Sequence, residues 1–212
     1  MILRNILLQD KIVLFHPETS KYGRLIIHKP HSDSSHLHWS CKNKVATITP
    51  NSKLPIILKQ YKMDVIDNII EPEIQQKTNA AGAVVEEEDG RIWIIHPTNE
   101  YLNIRATFPK GRIEKERVLD TVLLQETAIR ETFEETGLNI ILHDFICDII
   151  TKKNHVIRYY HAKRISGHPR YMGWESQAVS LVPKEQLKSI LHTVNDHKVV
   201  DVLLSKKIRE IS

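Results

Sequence analysis

Three glutamates fall within five positions of the segment Arg-Glu-Thr-Phe-Glu-Glu-Thr-Gly-Leu, residues 130–138. In a helix, Glu131 and Glu135 lie one turn apart, and Glu134 follows Glu131 by three residues. Like charges at this spacing destabilise a helix, and Arg130 alone cannot balance three carboxylates. One interpretation is a solvated acidic helix face. The other is a site for a hard cation such as Mg²⁺, which takes carboxylate and phosphate oxygens as ligands.

The flanking sequence favours the cation site. Upstream lies Phe-Pro-Lys-Gly-Arg-Ile-Glu, residues 108–114, and Gly137 is well suited to end the helix because glycine readily takes the left-handed conformation found there. The whole arrangement resembles the Nudix box, G-x5-E-x7-R-E-U-x-E-E-x-G-U, in which U is a bulky aliphatic residue. The matching positions are Gly111, Arg130, Glu131, Glu134, Glu135, Gly137 and Leu138.

This box departs from the family pattern in two ways. The pattern puts 13 residues between its glycine and its arginine, but 18 separate Gly111 from Arg130, so five are inserted. No glutamate therefore occupies the first glutamate position of the pattern. The candidates to replace it are Glu114, Glu116 and Glu126. In addition, Thr132 is polar where the family has an aliphatic residue.

The resemblance implies an enzyme with a divalent metal cofactor. Nudix enzymes cleave diphosphate linkages by water attack on phosphorus, in nucleoside diphosphates linked to another group. We expect Mg²⁺, with Mn²⁺ as a substitute, to neutralise the diphosphate and to lower the pKa of bound water. The Pro109–Gly111 tripeptide resembles the diadenosine polyphosphate and diphosphoinositol polyphosphate branches, and it weakly favours such polyphosphate substrates.

The resemblance also assigns roles around the metal. By family correspondence Glu134 and Glu135 are metal ligands, Glu131 is a ligand or a water activator, and the carbonyl of Gly111 is a further candidate ligand. Arg130 is expected to hold a carboxylate in a bidentate contact, which lysine cannot reproduce.

The general base has one candidate in a later loop. Glu175 precedes a predicted strand, in a loop where several Nudix enzymes carry an extra glutamate. The alternative interpretation is that Trp174 anchors this loop and Glu175 is only a surface residue.

Basic and aromatic residues are candidates for substrate binding. Lys110 and Arg112 flank the glycine of the box. In the strand that begins near Val156, alternation puts Val156, Arg158 and Tyr160 on one face, and His155, Ile157, Tyr159 and His161 on the other. We expect Arg158 to contact phosphate and Tyr160 to stack on a base. A solvated basic strand is the alternative.

Composition fits a globular protein with an anionic substrate. The 212 residues are 41% hydrophobic, the formal net charge is +4 and the pI is about 9.0. No apolar run approaches the ~18 residues of a membrane span, and no secretory signal is evident. Only Cys41 and Cys147 occur, which favours a reducing cytoplasm.

The order of predicted elements indicates an α/β fold, a Nudix α/β/α sandwich with a mixed sheet. Residues 77–212 form the predicted Nudix domain, and a small β-rich region, residues 1–76, precedes it. The predicted Nudix-domain strands are 81–85, 91–96, 140–150, 156–162 and 177–182, with a hairpin at Asp89-Gly90. Two C-terminal helices are predicted, one from 183 to about 191 and one capped by Asn195-Asp196 and running to about 209. Residues 71–79 are predicted to be a linker.

The N-terminal region carries no assigned role. Its predicted strands are 11–16, 24–28, 44–49 and 54–60. A cluster of histidines with Cys41, in residues 31–41, suggests zinc, but a polar loop is favoured because no second ligand cluster follows at finger spacing. Shaping the active site, forming a homodimer and binding a partner all remain open for this region.

Two other functions compete with the small-molecule hydrolase. One is removal of diphosphate from the 5′ end of RNA, which a basic chain would suit, although nucleic acid is the less favoured partner. The other is a Nudix-fold protein that senses a ligand without cleaving it. Such regulators typically lose carboxylates of the box, and all three metal-end glutamates are present here.

Overall fold

The computed structural model describes residues 46–48, 70–98, 104–114, 119–167 and 169–205. The strands are β1 (Ala46–Ile48), β2 (Thr78–Glu86), β3 (Ile92–Pro97), β4 (Lys110–Arg112), β5 (Leu138–Ile150), β6 (Val156–Gly167) and β7 (Ser176–Val182). The helices are α1 (Pro72–Gln75), α2 (Thr121–Thr136), α3 (Leu187–Ile190) and α4 (Val194–Ser205). Short 3₁₀ turns lie at Pro169–Tyr171 and Lys184–Gln186.

These strands form one mixed sheet in the order β1-β7-β3-β2-β6-β5, with β4 also paired to β2. Strands β2 and β6 run parallel, and the other pairs are antiparallel. Helix α2 packs on one face, where Leu124 and Ala128 join a buried cluster. Helices α3 and α4 pack on the other face, where Leu187 and Val200 join a second cluster. The predicted α/β/α sandwich with a mixed sheet is therefore confirmed.

The predicted strands and hairpin of the Nudix domain are present, most of them a few residues longer than predicted. The β2–β3 turn contains Gly90 at φ 85°, and the Gly90 amide donates to the carbonyl of Glu87 at 2.9 Å. On β6, Tyr159 packs in the α4-side cluster and Tyr160 in the α2-side cluster, as the predicted alternation requires.

Helix α2 carries the acidic segment and is fixed at both ends. The carboxylate of Asp120 accepts from the amide of Leu123 at 2.7 Å, which caps the N-terminus. Gly137 ends the helix at φ 71° and donates its amide to the carbonyl of Phe133, as predicted. Thr132 is fully buried, and its hydroxyl donates to the carbonyl of Ala128 at 2.7 Å. The polar group that replaces the family's aliphatic side chain therefore has a hydrogen-bond partner within the helix.

Two local predictions are wrong. The segment predicted to be a linker contains α1 and the first residues of β2, because Gln75 and Thr78 find hydrogen-bond partners there. Helix α4 is capped by Thr193 rather than by Asn195-Asp196. The Asp196 amide donates to the Thr193 hydroxyl at 3.0 Å, which is an N-cap bond, and that hydroxyl in turn donates to the Asp196 carboxylate at 2.6 Å.

The N-terminal region contributes at least one strand to the sheet. Strand β1 lies within the predicted strand at 44–49 and pairs with β7 through Thr47 and Ser180. The other predicted strands of this region, the histidine-rich segment with Cys41, and the end of the last helix beyond Ser205 lie outside the described residues. Among the described helices, none is long and apolar enough to cross a membrane.

Candidate active site

The structure brings the two ends of the box together. Strand β4 pairs with β2, so that Gly111 lies opposite Ala81 and faces α2. A Cβ atom built on Gly111 would lie 1.9–2.3 Å from the carboxylate atoms of Glu131. Any side chain at position 111 would displace that carboxylate. The glycine is therefore required by the close approach of Glu131, despite the longer separation between the two motif ends.

Arg130 connects the carboxylates to the glycine loop. Its Nη1 lies 2.8 Å from Oε1 of Glu131 and 3.0 Å from Oε2 of Glu134, and its Nη2 donates to the carbonyl of Arg112 at 2.9 Å. The arginine thus bridges two carboxylates instead of forming the predicted bidentate contact with one. Since a guanidinium presents several donors in fixed directions, it can hold all three partners at once.

The three candidates for the missing glutamate fall in different places. Oε1 of Glu114 lies 3.9 Å from Nε of Arg130, and the Glu114 side chain is mostly exposed. Glu126 lies on α2, one turn before Arg130. Glu116 lies outside the described residues. The contact between Glu114 and Arg130 is an ion pair at the outer limit of distance.

Glu135 is a buried acid of the site, like Glu131. Its Oε2 accepts from the backbone amide of Lys110 at 2.7 Å. Burial raises its pKa to about 8, and repulsion by Glu131 and Glu175 adds to this rise despite the opposing charge of Lys110.

Glu131 is perturbed in the same direction. Burial raises its pKa, and the negative charges of Glu134 and Glu175 contribute, against the opposing charge of Arg130. Two neighbouring buried acids that both resist ionisation indicate a site with too little positive charge. Perturbed carboxylates of this kind are common at functional sites.

Glu175 lies on the same side of the molecule as these acids. Its charge acts on both Glu131 and Glu135, and its loop touches α2 because the Gly173 amide donates to the Glu134 carbonyl at 2.6 Å. The ring of Trp174 is largely exposed, so its packing does not anchor the loop. The structure therefore places Glu175 near the two buried acids, and its role as the general base stays a prediction.

Lys110 takes part in a chain of polar side chains that was not predicted from the sequence. Its Nζ donates to Oγ1 of Thr107 at 2.9 Å, and Thr107 donates to Oδ1 of the buried Asp196 at 2.9 Å. This chain connects the glycine loop to the N-terminus of α4. Thr107 and Asp196 are 89 residues apart, so no local sequence pattern could pair them. Arg112, by contrast, is exposed beside the loop.

The burial of Arg158 and Tyr160 conflicts with their predicted roles in substrate binding. Arg158 is 1% exposed and pairs with both carboxylate oxygens of Asp148, at 2.9 and 2.7 Å, while its guanidinium lies over the ring of Phe145. Tyr160 is fully buried in the core, where no base could reach its ring. The two residues stabilise the β5–β6 pair, since Tyr160 packs in the core and Arg158 pairs with the partly buried carboxylate of Asp148.

The donor set suits a hard divalent cation. Glu131 and Glu135 offer carboxylate oxygens in a partly desolvated site, and a cation would offset the burial and the repulsion that raise their pKa values. Glu134 is engaged by Arg130 at the rim of the site. Among the described residues, no three His, Cys, Asp or Glu side chains are gathered closely enough to hold a metal ion. The acids therefore fit the ion by their chemistry, not by a preformed cage.

A family model for the NUDIX domain matches residues 76–203, more than half of the chain. The chain therefore belongs to the Nudix family, which confirms the family and the class of enzyme predicted from the box, a hydrolase that acts on pyrophosphate bonds. Nudix hydrolases generally use divalent metal ions. No curated protein matches the chain.

Solved structures with similarity to the chain include several Nudix hydrolases. A NUDIX hydrolase from Nitrosomonas europaea is 20% identical with a TM-score of 0.47, over 58% of this chain and 67% of that one. A C. elegans Ap4A hydrolase is 18% identical with a TM-score of 0.48, over 59% and 95%. An ADP-ribose pyrophosphatase from Streptococcus suis is 12% identical with a TM-score of 0.46, over 60% and 92%. The family assignment rests on the family model and not on these structures.

Proposed function

We propose that this protein is a Mg²⁺-dependent hydrolase of a diphosphate linkage, in a nucleoside diphosphate joined to another group or in a polyphosphate. The observation that supports this best is the pair of buried acids, Glu131 and Glu135, packed against the loop of Gly111. Burial raises the pKa of both carboxyl groups, so each is harder to ionise in the metal-free site than in water. A bound divalent cation would favour the ionised carboxylates.

The acids of the box and Arg130 have different roles in binding the metal. Glu131, Glu134 and Glu135 would hold the metal, with the Gly111 carbonyl as a further ligand. Arg130 keeps two of these carboxylates in place through the contacts described above. When bound, the cation supplies charge neutralisation for the diphosphate and a lowered pKa for its water.

The remaining roles concern the water and the phosphates. Glu175 is the candidate to accept a proton from the attacking water, either directly or through a water molecule. Lys110 and Arg112 are the candidates to contact the phosphate oxygens, because both lie on β4 beside Gly111. Phosphoryl transfer depends mainly on such positioning and charge, and the residue types of this site suit that chemistry.

The proposal is tested by hydrolysis of a panel of diphosphate compounds with Mg²⁺ or Mn²⁺. The panel contains diadenosine polyphosphates, ADP-ribose, nucleotide sugars, inositol pyrophosphates, and capped or triphosphorylated RNA. An RNA substrate would also show binding that weakens steeply as the salt concentration rises. A protein that binds one of these compounds without cleaving it would be a sensor, and that outcome would contradict the proposal.

Site variants test the assignment of the acids. Glu134→Gln and Glu135→Gln should each abolish metal-dependent hydrolysis while the circular dichroism spectrum stays unchanged. Glu88→Gln, in the exposed β2–β3 turn, is the matched control and should keep full activity. Unchanged turnover in both site variants would refute the roles assigned to the acids.

Three further predictions concern location, assembly and domain organisation. A cytoplasmic location, a homodimer and a domain boundary near residue 76 are all proposals. The pairing of β1 with β7 supports an N-terminal region that shares the sheet of the Nudix domain, instead of a separate unit.

A further inference from the structure

The loop before β7 is held firmly by its backbone. The Gly173 amide donates to the carbonyl of Glu134, at 2.6 Å. On the other side, Thr98 donates its hydroxyl to the carbonyl of Trp174 at 2.6 Å and its amide to that of Glu175 at 2.8 Å. These three hydrogen bonds join the loop to α2 and to the end of β3. The backbone of the loop is therefore fixed without help from its largest side chain.

That side chain is the indole of Trp174, and 63% of the residue is exposed. Trp93, the other tryptophan in the described part of the chain, is fully buried. Burying an aromatic side chain is among the larger favourable contributions to folding, so an exposed indole on a fixed loop gives up stabilisation. A ligand that covered the ring would recover part of it.

The position of the ring points to the kind of ligand. Trp174 is joined through Gly173 to the carbonyl of Glu134, and its other neighbour, Glu175, repels the carboxylates of Glu131 and Glu135. The loop segment that carries Trp174 therefore lies beside α2, next to the proposed diphosphate site. A nucleotide whose diphosphate occupies that site carries its base a few bonds away, and every nucleobase has a flat face that can stack on an aromatic ring.

We propose that Trp174 is a stacking surface for the base of a nucleotide substrate. The inference rests on the proposed function. It favours a substrate that contains a nucleoside diphosphate joined to another group, including dinucleoside polyphosphates, and disfavours an inositol pyrophosphate. Because the loop is already ordered, binding would cost little conformational entropy beyond that of the ring itself. Stacking tolerates different bases, so Trp174 would select for the presence of a base and not for its identity.

A binding experiment tests this directly with AMP and ribose 5-phosphate as probes. AMP contains no diphosphate linkage and is not a substrate of the proposed reaction, and ribose 5-phosphate is the same molecule without its base. Calorimetry with Mg²⁺ present should show tighter binding of AMP to the wild type. Trp174→Ala should weaken AMP binding by roughly 5- to 150-fold and leave ribose 5-phosphate unaffected. Trp174→Phe, which keeps an aromatic face, should retain most of the affinity.

Leu204→Ala is the matched control, because Leu204 is also a large exposed side chain but lies on α4. It should bind both probes like the wild type. Undetectable AMP binding by the wild type, equal binding of the two probes, or AMP binding unchanged in Trp174→Ala would each overturn the proposal. A Trp174→Ala protein that binds AMP normally but loses a self-association seen in the wild type would show that the ring is a protein contact instead.

Kinetics separates this inference from the proposed function. With diadenosine tetraphosphate as substrate, Trp174→Ala should raise KM and change kcat little, because the ring lies away from the reacting phosphorus. With an inositol pyrophosphate, any turnover should be the same in both proteins. If no diphosphate compound is hydrolysed, the proposed function fails, yet the comparison of AMP with ribose 5-phosphate still decides the role of Trp174.

Discussion

Replacing Glu135 by glutamine should remove a steep loss of stability that the metal-free protein suffers as the pH rises. Burial raises the pKa of Glu135 from an ordinary 4.5 to about 8. Between these two values the folded protein holds a proton that the unfolded chain has released. The free energy of unfolding therefore falls by about 1.4 kcal/mol per pH unit across this range.

The stabilising contribution is fully present below about pH 4.5 and is lost as the pH rises through about 8. The whole loss amounts to about 5 kcal/mol, which is a large part of the stability of an ordinary domain. Glutamine cannot ionise, and its side-chain oxygen can still accept from the amide of Lys110. The variant should thus be increasingly more stable than the wild type toward high pH, with little difference near pH 4.5.

Urea unfolding in EDTA at about pH 5, 7 and 9 measures this difference. Adding Mg²⁺ near pH 9 should stabilise the wild type more than the variant, since the metal binds the ionised carboxylates. In EDTA, Glu134→Gln is the control, because this neighbouring side chain is half exposed, and in that metal-free buffer it should follow the wild type. Parallel pH profiles for the wild type and Glu135→Gln would show that Glu135 ionises normally, and they would remove the charge argument for the metal site.

Two further predictions follow from contacts around the site and in the sheet. Gly111→Ala should lower kcat/KM roughly 100-fold with the secondary structure intact, because the new methyl group would displace the Glu131 carboxylate; wild-type activity would mean that this carboxylate can sit elsewhere. Arg158→Met should destabilise the protein by roughly 3–5 kcal/mol in urea, because it leaves the Asp148 carboxylate without its buried partner. Activity per folded molecule should be unchanged, and a selective rise in KM would instead restore the substrate-binding role first expected of this arginine.

Features that depend on near neighbours in the chain could be predicted. The β2–β3 hairpin follows from Asp89-Gly90, since these residues favour its turn wherever the flanking strands go. The end of α2 at Gly137 has the same local origin. The alternation of β6 also followed from the sequence, because successive side chains of a strand point to opposite faces whatever covers them.

Features that depend on residues far apart in the chain could not be predicted from the sequence. Arg158 has the sequence context of an exposed basic strand, and only its pairing with Asp148 across β5 and β6 buries it. In the same way, an N-cap was expected at Asn195-Asp196, but Thr193 forms the reciprocal bonds.

The sequence by itself determined the family and the fold class, because the box combines a glycine, an arginine and three glutamates in a fixed order. The same box predicted which residues hold a metal. The sequence left open how a box with five additional residues closes. The tertiary structure decided that, through the pairing of β4 with β2 and the packing of the Glu131 carboxylate on Gly111. It also decided that Glu131 and Glu135 are buried and that the side chain of Trp174 is exposed. Burial and charge proximity arise only when separate segments fold against one another, so residue order alone cannot supply them.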